Sequence, residues 1–261
     1  MAGRPADSLL GPDDPVPFEV FNAAGNSPFL LIGDHAGAAV PRILGNLGVA
    51  PSEMDRHIAI DIGVREMGKA LARLLDAPFV HQVYSRLVID CNRAPARDDA
   101  VPIVSDGTCI SRNENLTDAA RTARIEAIHT PYHRAIAALI DARAAADRPT
   151  ILLSLHSFTP RIDGIDRHWD VGILHWLGNT AFAHALRDAL TENDDIIVGD
   201  NVPYCMDETD YTVPFHAFGR GIGYAEIEVR QDLIGDPDGR HSWAVRLSQA
   251  ARRASTQLDG F

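Results

Sequence analysis

The chain has 261 residues, 46% of them hydrophobic and 23% charged, with a formal net charge of −12. That length can bury a sizeable core in one domain, and so negative a charge argues against a nucleic-acid partner, which needs a basic face to release counterions. No run of about 18 apolar residues offers a membrane span, and three widely spaced cysteines (Cys91, Cys109, Cys205) suggest reduced thiols in a cytoplasmic protein, not a disulfide framework or a thiolate zinc site.

The opening "MAGRPADSLLGPDDP" lacks the apolar core of a signal peptide and reads as a flexible lead-in over residues 1–15. "PFEVFN" and "PFLLIGDH" are short apolar runs bounded by Pro, Gly and Asp, and read as strands. "DIGVREMGKALARLLD" places Val64, Met67, Leu71, Leu74 and Leu75 on one helical face, with Asp61 as a possible N-cap. "APFVHQV" and "RLVIDCN" follow as strands. Residues 117–146 carry a long helical pattern that Pro131 should kink or split. "ILLSLH" and "DVGILHW" read as strands, "NTAFAHALRDAL" as a helix capped by Asn179, and "DIIVGDN" and "GYAEIEVRQ" as strands again. A turn at "DPDG" feeds a C-terminal helix. Residues 98–115 and 206–221 are expected to be long irregular loops, where function often sits. The alternation predicts a single α/β domain over 1–261, a sandwich around a mixed or mainly parallel sheet.

In such a sheet ligands bind beyond the carboxyl ends of the strands. His35 ends "FLLIGDH" and His156 ends "ILLSLH", and an imidazole at a strand end suits zinc. Either one alone reads more simply as a hydrogen-bonding strand cap, but two alike shift the balance toward a metal site. A third ligand is needed. Asp61, before a helix, is one candidate, with helix capping as its alternative role, and His57 is a competitor. On "YAEIEVRQD", Glu226, Glu228 and Arg230 share one face, as Ala225, Ile227 and Val229 share the other. Those acids belong either to a solvated edge with a local ion pair or to a site, with a carboxylate placed to accept a proton. Arg86, Asn92 and Arg93 in "YSRLVIDCNR" could hold a carboxylate by a guanidinium fork. A few such arginines would outweigh a diffuse negative field for a small anionic substrate.

"SLHSF", "DCNR" and "EVRQD" resemble the third-ligand strand, the Asn-Arg substrate motif and the catalytic-glutamate strand of zinc carboxypeptidases. More closely, "DHAGAAVP", "DIGVREMGKALA", "YSRLVIDCNR", "LHSFTP" and "EIEVRQDLI" together resemble the N-formylglutamate amidohydrolase family, from about Gly33 to Ile234. The resemblance implies a phosphorylase/hydrolase-like α/β fold, a three-layer sandwich, with one catalytic zinc. It implies His35 and His156 as ligands, Glu228 as general base, and Arg86, Asn92 and Arg93 as holders of the substrate carboxylate. The family's glutamate after the first histidine is missing, since Ala38 stands there, so Asp61 is the expected middle ligand. The implied reaction converts N-formyl-L-glutamate to formate and glutamate. Rival readings are another zinc acylase, a carboxypeptidase or cell-wall peptide amidase, and a non-catalytic carboxylate-binding module. The oligomeric state is open.

Overall fold

The apolar runs assemble chiefly into one sheet in the computed structural model, which describes residues 8–192 and 194–258. In chain order the strands are β1 (Phe18–Phe21), β2 (Phe29–Gly33), β3 (Phe79–Gln82), β4 (Val104–Ser105), β5 (Thr108–Cys109) and β6 (Ile151–Phe158). They continue with β7 (Arg161–Ile162), β8 (Ile165–Asp166), β9 (Val171–Leu174), β10 (Val198–Asp200) and β11 (Gly223–Arg230). Seven form the central sheet, ordered β1-β3-β2-β6-β11-β9-β10, while β4–β5 and β7–β8 are small separate ribbons. The inner strands β3, β2, β6 and β11 are mutually parallel. β1 runs antiparallel to β3, and β9 antiparallel to β11. The sheet is therefore mixed and mainly parallel, with four carboxyl ends along one rim.

Strand alternation sorts the residues into two cores. Leu153, Leu155, Ala225, Ile227 and Val229 pack against helices α1 (Val64–Leu75), α4 (Ala181–Thr191) and α6 (Pro237–Leu258). Leu30, Ile32, Leu152 and Tyr224 pack on the other face, beneath α3 (Thr130–Ala145) and α5 (Thr212–Ala217), with α2 (Asp118–Arg124) leading into α3. The result is the three-layer α/β sandwich expected. Among the described residues no helix is long and apolar enough to cross a membrane.

Several local expectations change. "RLVIDCN" forms no strand but a turning segment, though Leu87, Val88, Ile89 and Cys91 are buried. Its carbonyls are met by side chains in place of a ladder: Asn113 donates to Leu87, Arg124 to Val88, and His133 and Thr212 to Cys91. The cap of α1 is Gly63 at φ +84°, not Asp61, and a Cβ there would meet the Ile234 carbonyl oxygen at 2.2 Å. Leu74 is exposed, and Gly68 and Ala72 complete the buried face. The break near Pro131 is a π-helical turn, Ile125–His129, that joins α2 to α3, so the proline falls in the first turn of α3 where no N–H is required. Asn179 does not cap α4 but donates to the Gly221 carbonyl. The two long loops are partly ordered, by the β4–β5 ribbon and by α5. Of the lead-in, residues 1–7 lie outside the described residues; beyond them, Leu9 is buried and Pro15 accepts a hydrogen bond from the Tyr84 hydroxyl at 2.7 Å.

Candidate active site

Three strands of the parallel rim deliver the ionisable residues. His35 stands two residues beyond β2, His156 is the sixth residue of β6, and Glu228 is its direct neighbour in register on β11. Asp61 reaches them from the loop before α1, which is tied in by its own backbone N–H donating to the His35 carbonyl at 2.9 Å. Asp61 Oδ2 lies 3.0 Å from His156 Nδ1 and 3.5 Å from His35 Nδ1. One ligand atom from each of His35, Asp61 and His156 falls within 4.8 Å of the others, and all three side chains are buried. His57, the competing ligand, is instead turned toward Asp106, with Nε2 3.6 Å from its carboxylate.

A second layer of carboxylates lies behind the imidazoles. His35 Nε2 is 2.7 Å from Asp90 Oδ1, and His156 Nε2 is 3.5 Å from Asp34 Oδ2 and 3.1 Å from Ser154 Oγ. Donating each Nε2–H outward leaves both Nδ1 lone pairs facing Asp61, the arrangement that prepares histidine for a metal. His35 Nδ1 has no hydrogen-bond partner although it is buried. Burial opposes charge on His156, but the Asp34 and Asp61 carboxylates prevail and hold its pKa well above the ordinary value. Asp90 is likewise buried, yet the Arg86 guanidinium and His35 keep its carboxyl well below the usual range. These groups therefore create a negative potential where a cation would sit. Two imidazoles, one carboxylate and an unsatisfied buried nitrogen fit a zinc-type site with a position left for water or substrate.

The face of β11 that carries Glu226 and Glu228 is not a solvated edge. β11 lies between β6 and β9, and the two acids are 3% and 7% exposed. Both have an Oε2 without a hydrogen-bond partner. Burial, opposed by the His156 charge, pushes Glu228 up to about 7 and holds Glu226 well above the ordinary carboxyl range. Arg230 turns out of this group to Asp170 and Asp232, at 3.0 Å and 2.8 Å.

His35, Asp61, Asp90, His156, Glu226 and Glu228 line one cavity of about 900 Å³, together with Arg86, Asn92 and Arg93. Arg86 donates to Asp90 at 2.8 Å and lies 3.5 Å from Asp61. Arg93 is near Asp99 and Asp210, at 3.5 Å and 3.6 Å, and does not pair with the Asp90 side chain. The Asn92 amide is committed: its oxygen accepts from the Tyr211 and Thr212 backbones, and its nitrogen donates to Asp210. Sequence reasoning passed over Asp34 and Asp90; the available signal was an acid immediately before His35 and another inside "VIDCN".

A buried carboxyl group of raised pKa beside a cation-attracting cluster, at the carboxyl rim of a mainly parallel sheet, is equipment suited to hydrolysis. The chain belongs to the N-formylglutamate amidohydrolase family, whose model matches residues 27–235, and is thus an enzyme acting on amides. It is 32% identical to a gene product of Agrobacterium tumefaciens of known structure, covering 96% of this chain and 99% of that one at a TM-score of 0.93. The N-formylglutamate amidohydrolase of Ralstonia eutropha JMP134 shares the fold, at 21% identity over 94% of this chain and 100% of that one, with a TM-score of 0.70. No curated protein matches the chain.

Proposed function

We propose that this chain is a cytoplasmic zinc-dependent amidohydrolase, one catalytic domain over residues 1–261, that cleaves the N-formyl amide of an acidic amino acid, N-formyl-L-glutamate foremost. The observation that carries this reading is the convergence of His35, Asp61 and His156 beside Glu228 in one cavity. His35, Asp61 and His156 would hold the ion, one per chain. A bound zinc supplies Lewis-acid polarisation of the amide carbonyl and a nucleophile available at neutral pH. Glu228 accepts the proton of the attacking water at its free Oε2 and returns it to the leaving amine. Arg86 and Arg93 hold the α-carboxylate, with Asn92 fixing the loop beside them, so that the scissile carbonyl meets the water in a productive orientation. The cytoplasmic assignment is supported by Cys91, Cys109 and Cys205, which are all unpaired.

The test is metal content together with a substrate panel. The protein is expected to bind one equivalent of zinc and to turn over N-formyl-L-glutamate faster than N-acetyl amino acids or muropeptide amides. His156→Ala should lose metal and activity together. Full zinc retention in that variant would remove His156 from the ligand set, and preference for a different amide would move the reading to another acylase.

A further inference from the structure

An N-acyl acidic amino acid brings two carboxylates into a cavity whose walls already carry more carboxylates than arginines. The two arginines that line it each face acids of the chain itself, Arg86 toward Asp90 and Asp61, Arg93 toward Asp99 and Asp210. Arg167, between β8 and β9, differs. Among the described residues it has no carboxylate within ion-pair distance. Its Nη1 donates to the Tyr204 hydroxyl at 2.9 Å and to the Thr159 carbonyl at 3.5 Å. Its guanidinium lies over the Tyr204 ring at 4.7 Å and 5.9 Å from the Phe158 ring. Tyr204, Phe158 and Thr159 all line the cavity, and Phe158 stands on β6 two residues, about 7 Å, beyond His156. With these contacts confined to Nη1, the Nε–Nη2 edge is available for a bidentate carboxylate. Aromatic faces hold the guanidinium in place, so little side-chain freedom remains to be lost on binding.

We propose that Arg167, seated on Tyr204, is the anchor for the side-chain carboxylate of the substrate and makes the site selective for acidic amino acids. This rests on the reading of the cavity as an N-acyl amino acid site. The experiment compares kcat/KM for N-formyl-L-glutamate and N-formyl-L-glutamine in zinc-loaded wild type, R167Q and R167K, and titrates glutarate and its neutral diamide calorimetrically. R167Q should reduce the acidic-to-neutral ratio by about 30-fold, mainly through KM, and should abolish glutarate binding. R167K, which keeps the charge but loses the fork, should fall between. An unchanged ratio with glutarate still bound overturns the anchor and leaves the amidohydrolase reading standing. If wild type cleaves neither substrate, Arg167-dependent binding of glutarate keeps the anchor and removes the N-acyl amino acid reading, whereas Arg167-independent binding, or none, removes the anchor as well.

Discussion

Glu228 and Glu226 are two residues apart on one face of β11, but their neighbours assign them different work. Glu228 pairs in register with His156, whereas Glu226 pairs with Ser154, farther from the rim. Glu226 is also the more firmly neutral, since burial holds its proton in place. A neutral carboxyl is closely mimicked by an amide. Glu226→Gln is therefore expected to cost less than tenfold in kcat, while Glu228→Gln should keep zinc and lose about 10² to 10⁴, the usual contribution of a general base. Steady-state kinetics with zinc analysis on both variants checks this, and an inactive Glu226→Gln beside an active Glu228→Gln would exchange the two roles. The residues at the rim were legible in the sequence because each lies in or beside a run with clear periodicity. Asp34 and Asp90 were not. Their work is to orient imidazoles, and for Asp90 the partner is 55 positions away in the chain.

At the scale of elements, the strands and the alternation on β6 and β11 could be read directly, and the segment 87–92 could not. Its apolar alternation is that of a strand, and its burial is real. What differs is the source of its hydrogen bonds, which come from Asn113, Arg124, His133 and Thr212, and no local pattern announces such distant donors. The junction before α1 yields a prediction of its own. Gly63 and Gly221 both lie in the left-handed region, at φ +84° and +64°, but an added Cβ at Gly221 meets nothing within 4 Å while at Gly63 it strikes the Ile234 backbone. Gly221→Ala should cost about 1 kcal/mol in unfolding free energy, the conformational penalty alone. Gly63→Ala should cost at least about 2 kcal/mol more and weaken zinc, because Asp61 is held by the same loop. Denaturant titration and competitive chelation measure the two effects, and equal costs would show that the loop gives way freely.

For the whole molecule, acid sensitivity follows from two histidines under α5. His216 Nε2 donates to His133 Nδ1 at 3.0 Å, and His133 Nε2 donates to the Cys91 carbonyl at 2.9 Å, so both rings are packed in the neutral form. Burial lowers their pKa values to about 3 for His133 and about 4 for His216. In the unfolded chain each would titrate near 6.5, so below that pH the unfolded state takes up protons that the folded state refuses. This contribution to stability should be fully present above pH 6.5 and fall toward pH 4, by up to about 1.4 kcal/mol per pH unit for each ring. His216→Gln, which keeps a donor toward His133, should flatten the slope of denaturation free energy against pH in that interval. An unaltered slope would show that His216 does not contribute to it. The two cores also divide the molecule by purpose. None of the buried hydrophobic side chains that pack α1, α4 and α6 onto the sheet lines the cavity. That back layer is accordingly where substitutions should alter heat tolerance before they alter the choice of substrate.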